Sequence, residues 1–239
     1  MIEVSGLVKH FGTVRAVDGA SFKAPDGAIT TLLGANGSGK TTTLNMLMGL
    51  LKPQRGEARI DGIAVLGTGG ETQRRTGWFP DSVGLYPRLT SREHMRYFGE
   101  LHGLRGAHLE AAIDYTVEDL QMEDIADRRT EGFSTGQRMK VALARALVHS
   151  PKNIILDEPT RGLDVMSVRL LRRTLRRLRS EGRCILMSSH VMAEVQELSD
   201  HVICISQGNV VADGTPRELI EQAGAPDLEE AFIRLARAS

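Results

Sequence analysis

Two stretches of the sequence carry residues whose types and spacing do phosphate chemistry. "GANGSGKT" (34–41) fits the pattern G-x-x-x-x-G-K-[ST] in full. Glycines at 34, 37 and 39 let the backbone curl until successive N–H groups turn inward, and a helix starting at the loop's end adds the positive end of its dipole. Gly34, Ala35, Asn36, Gly37, Ser38, Gly39, Lys40, Thr41 and the following Thr42 therefore read as a cradle for the phosphates of a nucleotide. Lys40 has the reach to meet the β- and γ-phosphates, and the Thr41 hydroxyl can ligate Mg²⁺. A glycine-rich turn with Lys-Thr by chance is the competing reading. The apolar run "AITTLL" before the loop and the helical pattern "TTTLNMLMG" after it argue against that.

"NIILDEP" (153–159) is an apolar strand ending in two carboxylates. A strand that apolar ends either in water or in a site. Asp157 is placed to hold Mg²⁺, directly or through water, and Glu158, on the other side, to polarise an attacking water. Together the two motifs specify hydrolysis of a nucleoside triphosphate and leave open what the hydrolysis drives. "FSTGQ" (133–137) is harder to place. By itself it reads as a Ser N-cap at the start of a helix reaching about His149, whose free N–H groups make an anion site.

Several elements must position these groups. Short apolar runs at Ile2–Leu7, Ala28–Leu33, Ala58–Ile60, Gly77–Phe79, Asn153–Leu156, Cys184–Ser188 and His201–Ser206 alternate with helical patterns. That alternation predicts an α/β fold with a largely parallel central sheet. Residues 1–60 carry short strands and turns, with one clear helix from near Gly39, and fit an added antiparallel layer. From about Thr90 to Asp127 the pattern is wholly helical. Thr90 and Glu93 form a capping box, and a second helix runs from about Ala107 to Leu120. This stretch reads as an inserted helical lobe. Thr215, Pro216 and Glu218 open a further helix, and "LEEAFIRLARA" closes the chain as an amphipathic one.

Composition excludes some classes. Thirty basic and thirty acidic side chains in 239 residues give no net charge, so whole-chain charge selects neither nucleic acid nor an anionic membrane. The apolar runs fall well short of the roughly 18 residues of a membrane span, and the N-terminus lacks a signal-peptide layout. Cys184 and Cys204 lie in strand-like runs without CxxC spacing and read as buried reduced thiols. A cytoplasmic chain is the expectation. "RLLRRTLRRLR" (169–179) is basic, but Leu170, Leu171, Leu175 and Leu178 form a core stripe, leaving the arginines a solvated face.

With these motifs in this order, the chain resembles the ATP-binding cassette (ABC) ATPases over nearly its full length. "FSTGQ" resembles the family signature usually written LSGGQ, with Phe133 for Leu and Thr135 for the first Gly. "GLD" (162–164) matches the loop that crosses between subunits, His190 matches the switch histidine at the γ-phosphate, and Phe11 stands where family members stack an aromatic ring on adenine. The resemblance implies one ABC domain over 1–239 with a P-loop (RecA-like) core and β layer at about 1–89 and 128–225. The helical lobe then covers about 90–127, and a terminal helix 226–239. It implies ATP and Mg²⁺ as cofactors, Glu158 and His190 as catalytic residues, and Thr41 and Asp157 at the metal. Ser134, Thr135, Gly136 and Gln137 would act in trans on the partner's ATP, and Gly162, Leu163 and Asp164 would form the dimer loop. Phe11 is either that adenine stack or a small core aromatic.

Family members usually place Gln where this chain has Asp81, in "GWFPDSVGLYPRLT". Asp81 is either a turn residue or the replacement, meeting Mg²⁺ through water. Arg161 before Gly-Leu-Asp is a second departure. The resulting expectation is the ATPase subunit of a transporter, most similar to export-type cassettes including sodium-efflux subunits. It would work as a dimer with separate membrane permeases docking on about 82–100, peripheral at the cytoplasmic membrane face, with no nucleic-acid partner. A soluble ABC-type ATPase acting on nucleic acid or ribosomes is the alternative. A P-loop kinase gives no reason for FSTGQ, GLD and His190 in series.

Overall fold

The computed structural model describes residues 1–82 and 84–237. Val83 in the expected docking stretch and residues 238–239 of the expected terminal helix lie outside the described residues. The chain opens with a long hairpin, β1 (Ile2–Phe11) and β2 (Val14–Ala24), turning at Gly12 with φ 59°. At 10 and 11 residues these strands are longer than the short ones expected, because pairing continues through three register shifts. Next come β3 (Ile29–Leu33), buried throughout, and α1 (Lys40–Leu47). β4 (Arg55–Ile60) and β5 (Ile63–Ala64) follow. A helix of one turn, α2 (Glu71–Arg74), had no periodic signal in the sequence; it precedes β6 (Thr76–Phe79).

The helical stretch forms α3 (Ser91–Leu101) and α4 (Gly106–Asp119). Thr90 and Glu93 make the capping box at α3. The two ends of this stretch meet: Thr90 bridges Arg129 and the Thr130 N–H donates to Leu89 O at 3.0 Å. Then follow α5 (Thr135–Leu147), β7 (Asn153–Leu156), α6 (Val165–Ser180), β8 (Cys184–Ser189) and α7 (Met192–Leu198). β9 (His201–Ser206), β10 (Asn209–Gly214), α8 (Pro216–Ala223) and α9 (Leu228–Arg237) complete the fold. Among the described residues no helix is long and apolar enough to cross a membrane.

The strands form two sheets. The antiparallel one runs β2-β1-β4-β5, and the second runs β10-β9-β3-β8-β7-β6, parallel except for β9–β10. β3 lies within the first sixty residues yet sits in the middle of the parallel sheet, between β9 and β8. Its five residues are all buried, as a strand covered on both faces must be. One apolar cluster joins Met95, Ile113, Val117 and Leu120 of the helical stretch to Ile154 and Leu156 of β7. On α6, Leu170, Leu171, Leu175 and Leu178 face inward as their spacing predicts. Cys184 and Cys204 are free and buried, and burial pushes their thiols up to about 11 and about 12.

Parallel strands bring their carboxyl ends to one edge, where open α/β sheets bind ligands. Here Phe79 pairs with Leu156, Leu156 with Met187, and Leu33 with Ser189. That register delivers the loop at 34–39, Asp157 and His190 to a common rim, with the Asp81 loop beside them.

Candidate nucleotide-hydrolysis site

The glycine loop closes tightly between β3 and α1. Gly39 caps α1 in the left-handed region at φ 109°, and a Cβ there would stand 2.2 Å from Ala16 O of β2. A Cβ on Gly34 would stand 2.4 Å from Ile205 O and 2.5 Å from Ser38 Oγ. Only glycine fits either position. No side chain caps α1, so the dipole end and first-turn N–H groups face the loop interior. Ser38 Oγ is buried without a hydrogen-bond partner among the described residues. Lys40, 5% exposed, donates to Gly34 O at 2.8 Å and Ala35 O at 3.2 Å. Its ammonium is thus held by the loop it serves. This cradle of inward donors around one cation fits a polyphosphate.

Asp157 and Glu158 leave β7 toward different partners. Ser188 Oγ donates to Asp157 Oδ1 at 2.6 Å, and the Asp157 carboxyl also accepts from Thr41. Burial pushes the Asp157 carboxyl above its ordinary range, against those hydrogen bonds, and the charges of Asp81 and Glu158 push the same way. A hydroxyl and a buried carboxylate are the hard oxygen donors that Mg²⁺ prefers. Among the described residues no group of three or more His, Cys, Asp or Glu could hold a metal alone. These two donors therefore fit Mg²⁺ held jointly with substrate phosphate, its usual arrangement.

Glu158 lies between two nitrogen groups. Its Oε1 is 3.3 Å from Lys40 Nζ and its Oε2 is 2.8 Å from His190 Nδ1. A carboxylate oxygen can only accept here, so Nδ1–H donates to Glu158 and the contact orients the imidazole. Glu158 itself sits at φ 47°, a region rare for residues other than glycine.

"FSTGQ" begins α5 with a capping box: the Ser134 N–H donates to Gln137 Oε1 at 3.0 Å and the Gln137 N–H to Ser134 Oγ at 3.2 Å. Gly136 has a separate reason to be glycine, since a Cβ there would lie 2.4 Å from Ser167 Oγ and 3.3 Å from Asp164 Oδ2. The start of α5 is thus packed on the start of α6. Asp164 caps α6 through the Ser167 N–H at 2.9 Å and hydroxyl at 3.1 Å, and these bonds hold its carboxyl below the usual range. Gly162 lies beside Thr135, and Leu163 packs on the core.

Phe11 is 50% exposed at the turn end of the β1–β2 hairpin, with Lys9 Nζ 5.4 Å from its ring centre. It is not a core aromatic. Asp81 pairs with Arg161, joining the loops after β6 and β7. Both line a cleft of about 400 Å³ with Thr135, Glu158 and Gly162. Sequence reasoning named Arg161 only as a departure and missed Ser188, Thr160 and Glu194. "SSH" after an apolar strand was the one available signal for Ser188, since a polar pair ending such a strand faces the same rim.

The fold and the loop, with its lysine and strand-end carboxylates, define a P-loop nucleoside triphosphatase. The ABC transporter family profile matches residues 17–161. The ABC transporter ATP-binding protein NatA of Bacillus subtilis (strain 168) is 41% identical over 92% of this chain and 90% of that protein. Nod factor export ATP-binding protein I of Ralstonia nicotianae is 35% identical over 97% of this chain and 72% of that protein. A solved ATP binding subunit of an ABC transporter superposes with a TM-score of 0.91 at 28% identity, covering 98% of this chain and 99% of that one. The chain belongs to the ABC transporter ATP-binding family. It is an ATP-binding transporter subunit and an ATPase.

Proposed function

We propose that this subunit drives export: two cassettes close head to tail on ATP, hydrolysis reopens them, and separate permease chains at the cytoplasmic face of the membrane take up the motion. The similarity to an export ATP-binding protein supports the direction of transport. In this reading residues 1–89 and 128–225 form the catalytic core with its β layer, 90–127 the lobe that meets the permease through about 82–100, and 226–239 a terminal helix.

The single observation that carries the catalytic reading is the Glu158 carboxylate held between Lys40 and His190. Gly34–Thr42 hold the phosphates, with Lys40 on the β- and γ-phosphates. Phe11 stacks on adenine. Thr41 and Asp157 would hold Mg²⁺, which when bound supplies charge neutralisation at the β- and γ-oxygens. Glu158 orients the attacking water and takes its proton at a carboxylate oxygen. His190 turns Nε2 to the γ-phosphate while Nδ1 stays on Glu158. Ser134–Gln137 present the N-terminal end of α5, with its dipole, to the γ-phosphate held by the other cassette, and Gly162–Asp164 line the shared face. Asp81 replaces the usual glutamine.

Glu158→Gln tests this reading. The variant should bind ATP, turn over roughly 10²–10⁴ times more slowly, and accumulate as an ATP-bound dimer on size-exclusion chromatography. Near-wild-type turnover would overturn the role given to Glu158.

A further inference from the structure

The left-handed backbone at Glu158 persists only if neighbours hold it from both sides. On the upstream side the Glu158 N–H donates to Ser188 Oγ at 2.9 Å, the hydroxyl that also binds Asp157. Two residues downstream, Thr160 Oγ1 donates to Glu194 Oε2 at 2.5 Å. Thr160 is 8% exposed and Glu194 9%, so this bond runs beneath the site, away from solvent. A bond that short to a buried carboxylate is of the strong, charge-assisted kind.

Glu194 lies in the first turn of α7, the helix that follows His190. The loop carrying Glu158 is therefore tied to the segment carrying His190 twice. One tie is the Glu158–His190 contact at the rim; the other is Thr160–Glu194 below it. Further turns, from the Arg161 N–H to Glu158 O at 3.1 Å and the Leu163 N–H to Thr160 O at 3.1 Å, make residues 158–163 one compact unit. A shift of Thr160 thus moves Glu158 and the Gly162–Asp164 loop together.

We propose that Glu194 is a positioning residue for ATP hydrolysis. Its buried bond to Thr160 fixes the backbone at Glu158 and keeps that carboxylate in register with His190. Glu194 touches no reacting atom. The inference rests on the reading of Glu158 as the group that handles the attacking water.

Glu194→Ala should lower kcat about 10- to 100-fold, the cost of a misplaced reacting group, with KM for ATP within about twofold because the phosphate loop is untouched. Glu194→Gln keeps an acceptor for the Thr160 hydroxyl and should stay within about threefold of wild type. Thr160→Val tests the same bond from the other side should Glu194→Ala fail to fold, and Thr160→Ser should restore turnover. A double-mutant cycle separates this inference from the reading beneath it. In a Glu158→Gln background, Glu194→Ala should cause no further loss, since the group it positions is already gone. Near-wild-type turnover in Glu158→Gln overturns the reading of Glu158. A full additional loss on top of a slow Glu158→Gln overturns only the role of Glu194, as does wild-type kcat in both Glu194→Ala and Thr160→Val.

Discussion

Arg161 Nη1 donates to Asp81 Oδ1 at 2.9 Å, and this pair joins the loop after β6 to the loop after β7, which carries Asp157 and Glu158. Two of the departures from the usual family pattern, Asp81 and Arg161, thus lie on one contact. Exposed pairs of this kind contribute under about 1 kcal/mol, so its value lies in geometry. Asp81→Ala should leave ATP binding and thermal stability nearly intact while lowering the stimulation of ATPase by the membrane partner in the reconstituted complex. Asp81→Gln should restore part of that stimulation. If Asp81→Ala couples as well as wild type, the residue only shapes a turn.

Shared sites require partners to exchange function. On the proposed reading, a Lys40→Ala chain loses its own phosphate cation, and a Ser134→Arg chain loses the end of α5 it would offer to its partner. Each alone should fall by roughly 100-fold or more. A mixed dimer has one site with both defects and one with neither, so mixing the two chains should recover part of the wild-type turnover. Demonstrated mixed dimers without recovery would show that each chain completes its own site.

Phe11 projects from the β1–β2 hairpin, half exposed, where a ring has little to gain except from a ligand. Base stacking of about 1–3 kcal/mol corresponds to a rise in KM for ATP of roughly 5- to 150-fold in Phe11→Ala. kcat should be unchanged and Phe11→Tyr should behave like wild type. Steady-state kinetics on the three proteins decides it.

His149, after α5, lies flat on His102, with ring centres 3.5 Å apart and planes 5° from parallel. Burial, then the neighbouring His102, pushes the His149 pKa down from 6.5 to about 3. The folded protein therefore keeps His149 neutral where the unfolded chain takes up a proton. Its contribution is fully present above about pH 6.5 and is lost progressively as pH falls toward about 3. Tm should drop from pH 7 to pH 5, and His149→Phe, which keeps a flat ring on His102, should show a shallower drop. Parallel melting curves at the two pH values check this.

The phosphate loop was legible because its information is local. Gly34 to Thr41 are contiguous, and the curl, the inward N–H groups and the helix start follow from that octet between an apolar strand and a helical pattern. The same holds for the capping boxes at Thr90 and Thr215, whose partners lie three residues away, and for the Ser134 N-cap. The apolar stripe of α6 likewise told which way its arginines face. Tertiary structure decided what depends on distant pairing. Asp81 and Arg161 are 80 positions apart, and Thr160 and Glu194 are 34 apart. No periodicity links such residues; parallel strands must first fix a register that brings β6, β7 and β8 to one edge. Phe11 was undecided for a related reason, since an aromatic at a strand end is buried or exposed according to what packs over it. The four-residue α2 was too short to leave a helical period. The sequence by itself determined that this chain holds a triphosphate and carries carboxylates to act on it. Which side chains steady those carboxylates depended on the packing of strands far apart in the chain, because a short-range pattern carries no record of long-range contact.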